Sequence, residues 1–301
     1  MVPHRLRFAW FCIFLLIIGC KTPKVLPPSN LLRANHFDKS LQILREGLHS
    51  DEFMPSVYAA EAMIDAGYGF EAIPVIREKL KKEGVDVYRA RLGRALVKGR
   101  QQDGIILLQD IMLGNDEEAQ TESIKGLFYE VAVADTSIVG NMIRSTENNA
   151  IKLYAQGLLH VTEKEKHADE IRAALKDSDP RARIAAADII SFIGSSEEDT
   201  TQLVTNLSNV TSEIERFRTL RALAMLDHAS SRESLPQLTR SPDPSMRAMA
   251  SYAIAESWLV EHAEAIYPLL DDPSLGVRVR AAQSLLILND SGSLFRYMRL
   301  R

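Results

Sequence analysis

Asp179-Pro180-Arg181-Ala182-Arg183-Ile184-Ala185-Ala186-Ala187-Asp188-Ile189-Ile190 sets the pattern for most of the chain. An aspartate-proline turn leads to an apolar residue, an arginine, a run of small residues and an aliphatic side chain seven positions after the arginine. Such a turn suits a helix start, because the aspartate accepts from free backbone amides and proline tolerates the first turn. The order returns at Asp272-Pro273, with Arg278 and Leu285, and at Asp243-Pro244, with Arg247 and Ile254. Arg216 with Leu223, Lys152 with Leu159, Gln120 with Leu127, Arg89 with Leu96 and Val57 with Ile64 continue it. From Val57 to Arg278 the anchors lie 32, 31, 32, 31, 33, 31 and 31 residues apart. A period this constant marks stacked structural repeats.

Each repeat carries a second helical pattern before its turn, at 72–80, 105–112, 171–175, 235–238 and 265–270, with apolar residues at three- and four-residue steps. Gly67, Gly99 and Gly194 follow second helices, where a left-handed cap is useful. Sustained β alternation is absent from the sequence. The predicted fold is an all-α solenoid of about eight helix pairs over residues 35–290.

The pattern resembles the HEAT-like repeats of the bilin-lyase type, most closely over 170–290. Ala66-Gly67-Tyr68-Gly69-Phe70-Glu71-Ala72-Ile73 is also similar to a tetratricopeptide repeat, which shares the helix-pair logic. The HEAT-like resemblance implies that second helices line the concave face. It also implies that turn aspartates and the following arginines form a ladder between repeats. Arg89, Arg183, Arg216, Arg247 and Arg278 are then stacking residues, and Asp86, Asp116, Asp179, Asp243 and Asp272 cap and bridge. Ala186, Ile190, Ala250, Ile254, Ala281 and Leu285 are predicted core.

Positions two and five after each anchor face away from the aliphatic seam. They include Arg91 and Arg94, Tyr154 and Gly157, Ala185 and Asp188, Arg218 and Arg221, Met249 and Tyr252, and Arg280 and Gln283. The candidate partner-binding strip is Arg218, Arg221, Met249, Tyr252, Arg280 and Gln283, since arginine and tyrosine are common interface anchors. It suits an acidic peptide or protein surface.

The first 20 residues read as an export signal. Arg5 and Arg7 precede an apolar run, Phe8 to Ile18, which ends at Gly19-Cys20. That run is too short to span a bilayer. The end resembles a bacterial lipobox, which implies removal of residues 1–19 and lipid on Cys20. Cys12 would leave with the signal, so the mature chain keeps one cysteine, at its first position. Residues 20–34, with Pro23, Pro27 and Pro28, read as a spacer. The expected location is the bacterial cell envelope, on the periplasmic side of the outer membrane in a two-membraned cell. Residues 291–301 form a basic-aromatic tail.

Without its signal the chain carries 34 basic against 40 acidic residues. It holds no strongly basic block, so no nucleic-acid partner is expected. Its histidines are scattered; His167 with Glu170 gives two ligands at most, so no metal is expected. No phosphate loop, dinucleotide fingerprint or Gly-x-Ser-x-Gly elbow occurs, and no cofactor is expected. The expectation is a membrane-tethered, non-enzymatic scaffold with a protein or peptide partner on its concave face. The alternative is an enzyme subunit or cofactor chaperone resembling bilin lyases.

Overall fold

A computed structural model describes residues 34–163 and 167–289 of the 301-residue chain. The expected lipid site at Cys20 and the tail at 291–301 lie outside the described residues. The described residues form fifteen α-helices and no strand. Outer helices α1 (Ala34–Leu48), α3 (Gly69–Leu80), α5 (Gln102–Met112), α7 (Thr136–Ser145), α9 (Ala168–Ala173), α11 (Glu197–Asn209) and α13 (Ala229–Leu238) alternate with inner helices. The inner set is α2 (Phe53–Asp65), α4 (Asp86–Lys98), α6 (Glu117–Tyr129), α8 (Asn149–Glu163), α10 (Pro180–Ile193), α12 (Glu213–Met225), α14 (Pro244–Glu256) and α15 (Leu275–Asn289). Two 3-10 segments, Val260–Ala265 and Tyr267–Asp271, replace the eighth outer helix. The eight-pair solenoid is therefore present.

The anchors after Val57 have one structural meaning: each is the fourth residue of an inner helix. In four of them the side chain reaches back to carbonyls that the preceding turn leaves unpaired. Arg183 Nη1 donates to Asp177 O and Ser178 O at 2.7 and 3.0 Å. Arg247 Nη1 does so to Ser241 O and Pro242 O, and Arg278 Nη1 to Asp272 O and Pro273 O. Gln120 Nε2 reaches Met112 O and Gly114 O. In the first repeat this place belongs to Ser56, whose Oγ donates to Leu48 O, and not to Val57, which is a core residue. The sequence register there is corrected by one residue.

The rest of the expected ladder is partial. Arg183 forms a double hydrogen bond with Glu215 of the next inner helix, at 2.7 and 3.0 Å. Arg247 forms the same double hydrogen bond with Asp272, in the turn before α15. Arg89 instead pairs with Asp86 within its own first turn. Asp116, Asp179 and Asp243 cap α6, α10 and α14 as expected. Gly67 and Gly194 adopt φ of 88° and 98°, whereas beside Gly99 the left-handed residue is Arg100, at 58°. The predicted seam residues Ala186, Ile190, Ala250, Ile254, Ala281 and Leu285 are all buried.

The array closes on itself. One apolar core joins Leu41, Leu44, Leu48, Val57 and Ala59 of the first repeat to Val277, Val279, Ala281 and Leu285 of the last. At Gly47 in α1 an added Cβ would lie 2.5 Å from Val279 Cγ2, so only glycine permits this approach. Lys39 pairs with Asp271 at 2.6 Å and Arg278 with Glu46 at 3.0 Å across the same junction. Both pairs include a well-exposed partner and add about 0–1 kcal/mol each. The apolar seam holds the ring shut. The expected concave face is thus the wall of a central cavity and not an open groove.

Candidate functional site in the ring

The cavity measures about 440 Å³ and is lined by α2, α4, α6, α12, α14 and α15. Its inner helices run parallel and in register, because residues at equal helix positions pair. Sixth-position Arg91 meets sixth-position Glu122 at 3.4 Å. Ninth-position Arg94 meets Glu61 at 3.5 Å, and ninth-position Arg221 meets Asp188 at 3.0 Å. Thirteenth-position Lys98 meets Asp65 at 3.1 Å. Lining residues Pro55, Pro244, Ser245 and Gly276 belong to first turns, so the N-terminal ends of these helices frame one mouth. Positive helix ends converge there.

The side chains form stacked rings of graded charge. The sixth-position ring carries Arg91, Arg218 and Arg280 against Glu122, with Tyr58 and Met249 between them. The ninth-position ring mixes Arg94, Lys125 and Arg221 with Glu61 and Asp188. The deepest ring carries Lys98 against Asp65 and Glu256, with Glu130 one residue beyond α6. The positive excess is therefore greatest in the sixth-position ring, nearest the mouth, and the thirteenth-position ring carries a negative excess.

The acids of the two deeper rings are neutralised from within. Arg221, 8 % exposed at its side chain, donates to Glu256 at 2.7 and 3.1 Å and to Asp188 at 3.0 Å. Tyr129 and Tyr154 hydroxyls also donate to Asp188, at 3.0 and 2.9 Å. Burial works against the Asp188 charge, but Arg218, Arg221 and Lys125 outweigh it and hold its carboxyl below the usual range. Glu256 is lowered likewise, burial being overcome by Arg221. Burial and Asp188 push the Tyr129 hydroxyl up to about 12. Phe128, Tyr129, Tyr154 and Phe192 pack with centroids 5.0–6.4 Å apart and fill the side toward α8 and α10.

The sixth-position ring is less compensated. Glu122 is shared by Lys125 at 3.0 Å and Arg91 at 3.4 Å. Arg218 has only a loose contact with Asp188, at 3.8 Å. Arg280 lies between Tyr58 and Tyr252, its guanidinium 3.4 and 4.4 Å from their ring centres, and donates to Gln283 Oε1 at 2.6 Å. These tyrosine faces orient the guanidinium without cancelling its charge.

The predicted strip thus resolves into three roles. Arg218, Arg221, Met249, Tyr252 and Arg280 line the cavity. Arg221 is not a solvated contact but the buried centre of an ion triad with Asp188 and half-buried Glu256. Gln283 is buried behind Arg280 and leaves its Nε2 without a hydrogen-bond partner. Tyr154, Gly157, Ala185 and Asp188 are buried beneath the wall rather than displayed on it. Sequence reasoning missed Glu122 and Lys125, which stand two and five after Gln120, and Tyr58 and Glu61, hidden by the misplaced first anchor. The same period carries all four. No group of His, Cys, Asp and Glu able to hold a metal occurs among the described residues, and none of their helices is long and apolar enough to cross a membrane.

Neither a protein-family model nor a curated protein matches the chain. Solved structures do. The complex of CpcE and CpcF of phycocyanin lyase from Nostoc sp. PCC7120 is similar at 15 % identity and a TM-score of 0.41, over 90 % of this chain and 98 % of that one. Two engineered proteins are similar at 16 % and 17 % identity, with TM-scores of 0.33 and 0.30. The first covers 87 % of this chain and 82 % of its own, the second 83 % and 96 %. The expectation of a non-enzymatic chain is corrected here and not retained: a chain of comparable length and helical build belongs to a lyase.

Proposed function

We propose that the ring is a receptor for a small anionic molecule, held in the central cavity as a cofactor chaperone or enzyme subunit would hold one. The observation that carries this reading is the sixth-position ring, where Arg91, Arg218 and Arg280 face one carboxylate, Glu122. Cations fixed in a recessed, partly apolar site attract an anion more strongly than the same groups in open solvent. Met249, Tyr58 and Tyr252 offer apolar surface to the body of such a ligand. A protein partner fits this geometry as an extended acidic end entering the mouth, since the closed ring leaves no groove for a folded surface.

The test is a thermal titration with organic mono- and dicarboxylates and phosphate esters. A ligand present at 100 times its Kd stabilises the native state by about 2.7 kcal/mol. A rise in midpoint is expected for the wild type and its loss for Arg218→Glu with Arg280→Glu, at unchanged helicity. If no anion raises the wild-type midpoint, the receptor reading falls.

A second element of the reading is the tether. Arg5, Arg7, the apolar run and Gly19-Cys20 favour export and lipidation at Cys20, which would place the ring at an envelope membrane. Cys20→Ala should leave an unprocessed precursor without acyl mass. An unchanged mature mass would overturn the tether.

A further inference from the structure

Two lysines sit inside the ring, and they differ. Lys98 is 10 % exposed at its side chain and meets two carboxylates, Asp65 at 3.1 Å and Glu130 at 3.5 Å. Lys125, 18 % exposed, is the one lysine among the described residues that lines the cavity. Its carboxylate, Glu122, is shared with Arg91. Its ammonium lies 5.9 Å from the Tyr154 ring centre and within the field of Arg218. An amine in a recessed site beside other cations loses less by giving up its proton than one in water. Burial and Arg218 accordingly lower Lys125 against the pull of Glu122, whereas Asp65 and Glu130 overcome burial and raise Lys98.

We propose that Lys125 is a nucleophilic amine that forms an imine with an aldehyde or ketone bearing an anionic group, docked on Arg218 and Arg280. The inference rests on the anion-receptor reading and adds covalent chemistry to it. Glu122, 3.0 Å away, takes a proton from the ammonium. The free amine attacks the carbonyl carbon, a C–N bond forms as the C=O π bond breaks, and the nitrogen's surplus proton passes to the carbonyl oxygen to give a carbinolamine. Loss of that hydroxyl with a further proton, returned by Glu122, releases water and leaves C=N. One amine and one carbonyl give one imine and one water, with no oxidant or reductant consumed.

The probe is pyridoxal 5′-phosphate, an aldehyde with an anionic group and an aromatic body. The full chain receives less than one equivalent, then borohydride, and the labelled peptides are mapped by mass spectrometry. Label concentrated on Lys125 is expected, with Lys39, Lys81 and Lys98 as internal comparisons. It should be lost from that position in Lys125→Arg and weakened in Arg218→Glu. Label spread over the exposed lysines without enrichment at Lys125 would overturn the proposal. Pyridoxine 5′-phosphate, which lacks the carbonyl, separates the two readings. If it raises the unfolding midpoint while pyridoxal 5′-phosphate leaves Lys125 unlabelled, the receptor stands and the nucleophile falls; if neither it nor any other anion raises the midpoint and Lys125 stays unlabelled, both fall. Should Lys125→Arg fail to fold, the same alcohol used as a competitor in the wild type decides, since it should protect Lys125 and not the surface lysines.

Discussion

Arg221 is the side chain on which the floor of the cavity turns. It is shared by buried Asp188 and half-buried Glu256, whose charges it offsets. Removing one member of such a group strands the others, at a cost of about 3–5 kcal/mol. Arg221→Leu is expected to lower the unfolding free energy by that order, read as a lower urea midpoint at unchanged slope. The acids also fix a pH dependence. Their folded-state pKa values lie below the unfolded ones, so the unfolded chain binds more protons in that window and stability falls as pH drops through it. Acid titration of the wild type should show this contribution intact above the ordinary carboxylate values of about 4 and lost progressively below them. In Arg221→Leu the two acids lose that depression, so the stability gap between the two proteins should narrow as pH falls. A gap that stays constant across the acid range would show that the triad does not set this dependence.

At the scale of the element, the repeats are built from close approaches as much as from apolar area. Gly104 in α5 abuts α4: an added Cβ would lie 2.7 Å from Leu96 Cβ, 2.8 Å from Val97 N and 2.9 Å from Gly93 O. Two of those atoms are backbone and do not rotate aside. Gly104→Ala should therefore force the pair apart and cost about 1–3 kcal/mol, read by denaturant unfolding. This runs against the gain of up to about 1 kcal/mol that the substitution brings in an unhindered helix. A stabilised variant would show that α5 shifts freely. The anchors act at the same scale: Arg183, Arg247 and Arg278 each tie a turn to its own inner helix and reach to an acid beyond it.

Closure changes the behaviour of the whole molecule. In an open solenoid, stability is nearly a sum of neighbour terms and the end repeats fray. Here α1 packs on α15 through one core, so neither behaves as a free end. Hydrogen exchange should show α1 and α15 protected to the level of α6 and α10. Gly47→Val, placed where a Cβ already meets Val279, should lower protection in α1, α2 and α15 before the opposite side of the ring. Uniform loss around the ring would mean that closure and stacking cannot be separated. Closure also recesses the arginines of the sixth-position ring into one cavity, where on an open face they would be spread over solvent.

The sequence alone determined the repeat unit, its period and the register of its inner helices. A helix pair leaves the same mark each time: a capping turn, a side chain reaching back to stranded carbonyls, and an aliphatic residue two turns on. Arg183 and Ile190 carried that mark clearly. Val57 did not, because Ser56 does the anchoring there with a short hydroxyl that looks like any surface serine. The register also placed Arg218, Arg221, Met249, Tyr252 and Arg280 on one wall. Only the tertiary structure decided that the wall is a closed ring, since closure depends on a small rotation per repeat, summed over eight repeats, that no local pattern records. Only it separated Arg221, consumed by two acids, from Arg218 and Arg280, which keep charge to spare. Those pairings join residues more than thirty positions apart, and burial sets the strength of each.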